Sequence, residues 1–270
     1  MLVVDEPTAE LDRTTAASVL GALRAAADAG TTVILATHDP DAIAAADDVL
    51  ELTRHLTHPT AVSLPPPGDD LVLAARGLRK HYGGTAAVSD ASLDLRSGEL
   101  AVIVGRSGSG KSTLLLMLAG WEHPDAGAVT GGGPWHELAF VPQRFGLVPE
   151  LDVRDNVNLP ARLQGADARG SDLLEGLGLA HVAARYPHQI SIGQQQRVAV
   201  ARALAVRPRA VLLDEPTSHQ DGASAELVWS AIAAAAAEGT GCLVATHEPD
   251  AARRAHTAWS MVDGVLGPLA

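Results

Sequence analysis

Gly105-Arg106-Ser107-Gly108-Ser109-Gly110-Lys111-Ser112, directly behind the apolar run 100–104, is the stretch on which the reading of this chain turns. A buried strand, a glycine-rich loop and a Lys-Ser pair in this spacing make a cradle for nucleotide phosphate. The glycines let successive N–H groups point at one anion, and a helix beginning near Thr113 adds the positive end of its dipole. In such a cradle Lys111 reaches the β- and γ-phosphates and Ser112 offers its hydroxyl to Mg²⁺. A plain Gly/Ser-rich surface loop would explain neither the apolar strand before it nor the apolar helical run after it.

Composition is compatible with this and excludes several other classes. The chain has 270 residues, 47% of them hydrophobic, and a formal net charge of −12. That charge argues against general nucleic-acid binding, which needs a basic field. Acidity is uneven: residues 1–60 hold 3 Lys/Arg against 10 Asp/Glu, and residues 61–270 hold 17 against 22. Cys242 is the single cysteine, so no intrachain disulfide is available; its apolar setting reads as a small core residue rather than a catalytic thiol. No apolar run approaches the ~18 residues that span a bilayer. The beginning of the sequence carries no basic n-region or cleavage signal, which predicts a cytoplasmic protein.

An internal repeat sets the domain organisation. Asp5-Glu6-Pro7-Thr8 recurs as Asp214-Glu215-Pro216-Thr217, Asp12 as Asp221, and Ala36-Thr37-His38 as Ala245-Thr246-His247, all at one ungapped offset of 209. Ala-rich helical patterns over 16–29 and 223–238 lie between, each followed by Gly-Thr and an apolar strand. The first copy has no phosphate loop ahead of it. Residues 1–56 therefore read as the C-terminal fragment of a domain, 57–70 as a Pro-rich, solvent-exposed linker, and 71–270 as a complete domain. In the fragment, the edges of the strands are expected to lack partners.

Within 71–270 the patterns predict strands over 71–75 and 91–95 with a Gly83-Gly84 turn between them. Further strands are expected at 100–104, 139–141, 211–213 and 243–245. Residues 151–185 read as helical with breaks at Pro160 and at 165–170, and a helix is expected over 194–206.

Six motifs follow one another here. They are Tyr82, the loop Gly105 to Ser112, Phe140-Val141-Pro142-Gln143, Ile190-Ser191-Ile192-Gly193-Gln194, Val211-Leu212-Leu213-Asp214-Glu215 with Asp221, and Thr246-His247. In this order they resemble the nucleotide-binding domain of ATP-binding cassette (ABC) proteins, across the whole of 71–270. The resemblance implies an α/β fold of the P-loop NTPase type, with a RecA-like parallel sheet core, a leading antiparallel β-region and a helical subdomain. It also implies a role for each motif. Tyr82 stacks on adenine, and residues Gly105, Arg106, Ser107, Gly108, Ser109, Gly110, Lys111, Ser112 and Thr113 hold the phosphates. Gln143 touches Mg²⁺ and the attacking water, Asp214 with Ser112 serves the metal, Glu215 acts as general base, and His247 approaches the γ-phosphate. Taken singly, a core tyrosine, a surface glutamine, a solvated acid pair and a structural histidine remain the plain alternatives.

Ser191, Gly193 and Gln194 match the family's Leu-Ser-Gly-Gly-Gln signature, which contacts ATP bound on an opposing subunit. Ile192 replaces a glycine there. A β-branched residue disfavours positive φ and adds bulk near the nucleotide, so the departure is expected to weaken closure. Ser218-His219-Gln220-Asp221 also departs, with His and Gln where small or apolar residues are usual. The fragment's Asp5, Glu6 and His38 have neither phosphate loop nor signature and are not read as catalytic.

The implied function is an ATP-hydrolysing subunit, dependent on ATP and Mg²⁺, at the inner face of the membrane. Its implied partners are an integral membrane permease and a second nucleotide-binding domain, in a homo- or heterodimer, with no nucleic acid. A regulatory ABC ATPase without a membrane partner, or a nucleotide-binding module with impaired turnover, are the competing readings.

Overall fold

The computed structural model describes residues 1–5, 7–8, 13–37, 39–50, 64–134, 136–166 and 169–269. They form two compact units, Met1–His55 and Leu56–Ala270. Glu6, Asp12, His38 and residues 57–63 of the expected linker lie outside the described residues.

In the first unit, strand β1 (Leu2–Asp5) pairs in parallel with β2 (Val33–Ala36) around helix α1 (Arg13–Asp28), and the short helix α2 (Pro40–Ala44) follows. Thr8 Oγ1 donates to Asp39 Oδ2 at 2.7 Å. Among the described residues this sheet has two strands only. Val3 and Ile34 are accordingly exposed.

The second unit is built on a nine-stranded sheet. A hairpin of β3 (Leu71–Tyr82) and β4 (Thr85–Arg96) leads, followed by β5 (Leu100–Val104) and helix α3 (Lys111–Leu118). Next come β6 (Ala126–Gly131), β7 (Leu138–Val141), helices α4 (Val153–Gln164), α5 (Gly170–Gly176) and α6 (Ile192–Leu204), and β8 (Ala210–Asp214). Helix α7 (Gly222–Ala237), β9 (Gly241–Thr246), β10 (Thr257–Val262) and β11 (Val265–Pro268) complete the chain. The sheet order is β6-β3-β4-β11-β10-β5-β9-β8-β7. From β10 to β7 the neighbours are parallel, and β3 runs antiparallel to both of its neighbours, β6 and β4. This is the α/β arrangement that the sequence predicts, with a parallel core and an antiparallel leading region.

Side chains alternate across the strands, so one run of apolar residues feeds two cores. Leu100, Val102, Val211, Leu213, Cys242 and Val244 face α4–α7. Ala101, Ile103, Ala210, Leu212, Leu243 and Ala245 face α3 and the β3–β4 hairpin. Burial on both faces explains why β8 and β9 are apolar without interruption. Cys242 is fully buried and its thiol is raised by that burial, as expected of a core residue. The two units carry the repeat in the same register, Leu2 opposite Val33 and Val211 opposite Cys242. Thr217 Oγ1 donates to Glu248 Oε1 at 2.8 Å, the counterpart of the Thr8–Asp39 bond.

Several local expectations change. Gly83 and Gly84 do make the hairpin turn, both at positive φ, but β3 and β4 run well beyond the predicted segments because the turn and the pairing register carry the ladder outward. Pro160 does not break α4, which runs through it from an Asp152 N-cap to a left-handed Gly165 C-cap. Tertiary packing here outweighs the lost hydrogen bond to residue 156. Helix α6 begins at Ile192, two residues earlier than expected, because Ser191 caps it. Residues 64–70 are not a free linker. Leu64 packs on the helical core, the Pro65 carbonyl lies 2.9 Å from His256 Nε2, and Gly68 N–H donates to the Ser97 carbonyl at 2.8 Å.

Asn156, fully buried on α4, fastens the segment between β7 and α4. Its Nδ2 donates to the carbonyls of Val148, Leu151 and Asp152 at 3.0, 2.9 and 3.1 Å, and its Oδ1 accepts from Val148 N–H at 2.8 Å. An apolar side chain of the same length would orphan these backbone groups. Asn156→Leu is expected to destabilise the second unit by roughly 2–3 kcal/mol in urea unfolding; an unshifted midpoint would show that the segment has another anchor.

Candidate active site

The parallel register brings the ends of four strands to one level. Val104 lies opposite Thr246, Ala245 opposite Asp214, and Leu213 opposite Val141. The residues that follow emerge side by side along the carboxyl edge, which is where ligands bind in open parallel sheets. They are Gly105 from β5, His247 from β9, Asp214 and Glu215 from β8, and Gln143 from β7.

The phosphate loop is shaped from both sides. Gly110 adopts φ 105° as the N-cap of α3, and a Cβ there would collide with the Ala87 carbonyl of β4. A Cβ on Gly105 would sit 2.5 Å from the Met261 carbonyl. Gly264 N–H ties the β10–β11 turn to the Ser109 carbonyl at 3.0 Å. The loop tip, Arg106, Ser107 and Gly108, stays exposed, and Ser112 and Thr113 follow Lys111 into α3.

Lys111 is buried, and its Nζ donates to the carbonyls of Gly105 and Arg106 at 2.6 and 3.1 Å. It also lies 3.6 Å from Glu215 Oε1. The other carboxylate oxygen of Glu215 is 2.9 Å from His247 Nδ1 and accepts from the His247 backbone N–H at 3.3 Å. Lysine, glutamate and histidine therefore form one contiguous group, although they are 32 to 136 positions apart in sequence. Glu215 sits at φ 50°, a left-handed conformation that costs an L-residue of this kind about 1–2 kcal/mol. Strain of this sort persists only where surrounding contacts over-determine it.

Asp214 is buried beside this group, in contact with the Ser112 hydroxyl. Burial raises its carboxyl above the ordinary range, the Ser112 hydrogen bond opposes that rise, and the neighbouring Glu215 adds to it. Among the described residues, Asp214 Oδ1 and Ser109 Oγ are buried without a hydrogen-bond partner. An orphaned carboxylate oxygen next to a serine hydroxyl, beneath a cradle that has no room for a Cβ, fits a divalent cation held against a phosphate.

The other expected residues are arranged differently. Gln143 is exposed and makes no hydrogen bond to the Lys111–Glu215–His247 group. Tyr82 is 47% exposed at the tip of the β3–β4 hairpin, so it is not a core tyrosine. Lys80 Nζ lies 5.4 Å from its ring centre. Ser191, Gly193 and Gln194 lie at the start of α6, with Ser191 as its N-cap. Ser191 Oγ accepts from Gln194 N–H at 3.2 Å, and Gln194 Oε1 accepts from Ser191 N–H at 3.0 Å, a reciprocal capping box.

Ile192 carries no left-handed backbone strain. It is the first residue of α6, is not among the residues at positive φ, and is 58% exposed. Gly193 is the position that must be small, because a Cβ there would lie 2.5 Å from the His219 carbonyl. Gln196 was not legible in the sequence, since a glutamine in a Gln-Gln-Gln run carries no periodic or motif signal. Yet it is buried and donates from Nε2 to the Glu215 carbonyl at 2.6 Å.

The raised carboxyl of Asp214 yields a stability prediction for metal-free protein. A folded pKa above the unfolded value means that the folded chain binds the proton more tightly, so the penalty is absent below the ordinary carboxylate range of about 4 and grows as pH rises through the folded value. Asp214→Asn is expected to raise the melting temperature in chelator at pH 8, with the gain vanishing towards pH 4. A lower melting temperature at pH 8 would show that the carboxylate stabilises the fold.

The chain is similar to several known proteins. The family described as ABC transporter matches residues 88–218. The lipoprotein-releasing system ATP-binding protein LolD 2 of Caulobacter vibrioides is 38% identical over 221 residues, covering 73% of this chain and 97% of that protein. The Fe(3+) ions import ATP-binding protein FbpC of Pseudomonas fluorescens is 41% identical over 192 residues, covering 65% of this chain but only 54% of that protein. Among solved structures, a dimeric ATP-binding cassette in a post-hydrolysis state bound to ADP and Pi superposes with a TM-score of 0.65 at 30% identity, over 73% of this chain and 99% of its own. With a near-full-length relative at this identity and a phosphate loop, acid pair and histidine converging on one sheet edge, the chain belongs to the ATP-binding proteins of the ABC transporter family.

Proposed function

We propose that residues 71–270 bind MgATP at the carboxyl edge of the sheet and hydrolyse it, coupling turnover to a separate integral membrane permease. The observation that carries this is the contact of Glu215 with both Lys111 and His247 at the mouth of the phosphate loop. In this reading the triphosphate takes the ammonium of Lys111 from the Gly105 and Arg106 carbonyls, and the loop amides from Gly105 to Thr113 surround the β- and γ-phosphates. Glu215 accepts a proton from the water that attacks the γ-phosphorus. His247, oriented through Nδ1 by Glu215, is left with Nε2 for contact with the γ-phosphate. Ser112, Asp214 and Gln143 would hold Mg²⁺, which supplies charge neutralisation on the phosphates. Tyr82, half-exposed at the tip of the β3–β4 hairpin, offers a face for the adenine.

Ser191, Gly193 and Gln194 would complete the site of a second cassette rather than their own. The dimeric state of the similar cassette supports this. Residues 1–56 are, in the same reading, the C-terminal part of a further cassette, supported by the common strand register. No helix among the described residues is long and apolar enough to cross a membrane, so passage of cargo falls to the permease. The similar proteins include both an importer subunit and a lipoprotein-release subunit, and the cargo is set by the membrane partner.

Steady-state phosphate release tests the assignment. Glu215→Gln is expected to lower kcat by about 10²–10⁴-fold while MgATP still binds, whereas Lys111→Ala loses binding itself. Undiminished turnover in both variants would overturn it. Recovery of a polytopic membrane protein with the chain from detergent-solubilised native membranes tests the permease.

A further inference from the structure

We propose that Gln196 is a positioning residue for Glu215: its buried carboxamide locks the left-handed turn that aims the carboxylate, and Gln220 in turn locks Gln196. This rests on the role given to Glu215 above and goes beyond it, since Gln196 is buried and its amide is bonded to protein groups of the turn after β8.

Gln196 sits on the second turn of α6, and only 1% of it is exposed. Every polar position of its amide is engaged. Nε2 donates to the Glu215 carbonyl at 2.6 Å and to Ser218 Oγ at 3.3 Å. Oε1 accepts from Gln220 Nε2 at 2.9 Å and from His219 N–H at 3.3 Å. Gln220 is itself pinned, because its Oε1 accepts from Arg197 Nη1 at 2.8 Å and its Nε2 also donates to the Gly193 carbonyl at 2.9 Å. Glu215 is thereby held at both of its backbone groups: its carbonyl accepts from Gln196 and, at 3.0 and 3.3 Å, from Ser218 Oγ and N–H, and its N–H donates to the Ala245 carbonyl at 2.9 Å.

The arrangement has a direct consequence. A glutamate at φ 50° relaxes towards ordinary backbone geometry unless its flanking groups are fixed, and relaxation swings the carboxylate away from Lys111 and His247. Gln196 and Gly193 belong to the helix whose first residues form the signature. The same amide therefore connects the catalytic turn to the surface offered to a second cassette. Of the His219-Gln220 pair, unusual by sequence, Gln220 supplies the side-chain partner that orients it, and His219 contributes its backbone N–H. Phe145, just after Gln143, packs edge-on against His219 with ring centres 5.9 Å apart, so the segment following β7 meets the same junction.

The test is a double-mutant cycle on full-length protein. Gln196→Met keeps length and volume but removes all four hydrogen bonds. In the otherwise native chain it is expected to lower single-turnover ATP hydrolysis about tenfold or more, with the Kd for MgATP changed less than about twofold. In a Glu215→Gln background it is expected to change nothing further, because the group it positions is no longer a base. Gln220→Leu, which leaves Gln196 in place, is expected to show the same pattern more weakly, and stands in if Gln196→Met does not fold. Unchanged hydrolysis in the single variants, or an equal further loss in the Glu215→Gln background, would overturn the positioning role. Failure of the underlying reading is seen separately, as Glu215→Gln alone leaving hydrolysis intact.

Discussion

Parallel hydrogen bonding between β5, β9 and β8 is the constraint on which the rest depends. The three strands are ladder-paired so that Val104, Thr246 and Asp214 end at one level. The residues just beyond them then have only one place to go. A one-residue slip in either pairing would turn every side chain of that strand to the opposite face and exchange the two cores. Such a slip would bury the wrong residues of runs such as Val211-Leu212-Leu213, so the hydrophobic partition that stabilises the sheet also registers the chemistry at its edge.

Charge is then handled by mutual satisfaction. Lys111 is buried, and an isolated ammonium there would be costly, but two loop carbonyls and Glu215 surround it. The glutamate divides its two oxygens between Lys111 and His247. Asp214 is the exception, since one of its oxygens has no protein partner and burial raises its carboxyl. A site that leaves one acid under-satisfied, next to a hydroxyl and beneath a backbone cradle, is preorganised for a ligand that brings positive charge with it.

The first unit shows what the same sequence pattern achieves with fewer neighbours. Its strands pair in the register of the second unit and its threonine makes the same bond to the acid 31 residues later. However, Val3 and Ile34 remain exposed where Leu212 and Leu243 are completely buried. Local pattern suffices for strand, helix and strand. The enclosing core requires the phosphate-loop strand and the helices of a whole domain.

Residue order alone determined the phosphate cradle, the acid pair, the repeat and the strands they stand on, because apolar runs and glycine spacing are local properties of the chain. β6, β10 and β11 were not legible, being mixed in polarity, and each is fixed by pairing with a strand distant in sequence. Pro160 within α4 and the early start of α6 likewise reflect packing and capping rather than propensity. Only the tertiary structure decided that Ile192 is an unstrained helix residue, that Gly193 is the position with no room to grow, and that Gln196 holds the Glu215 backbone. Each depends on which atoms from β8, α6 and the turn after β8 arrive within a few ångströms of one another, and the order of residues along a chain does not contain that distance.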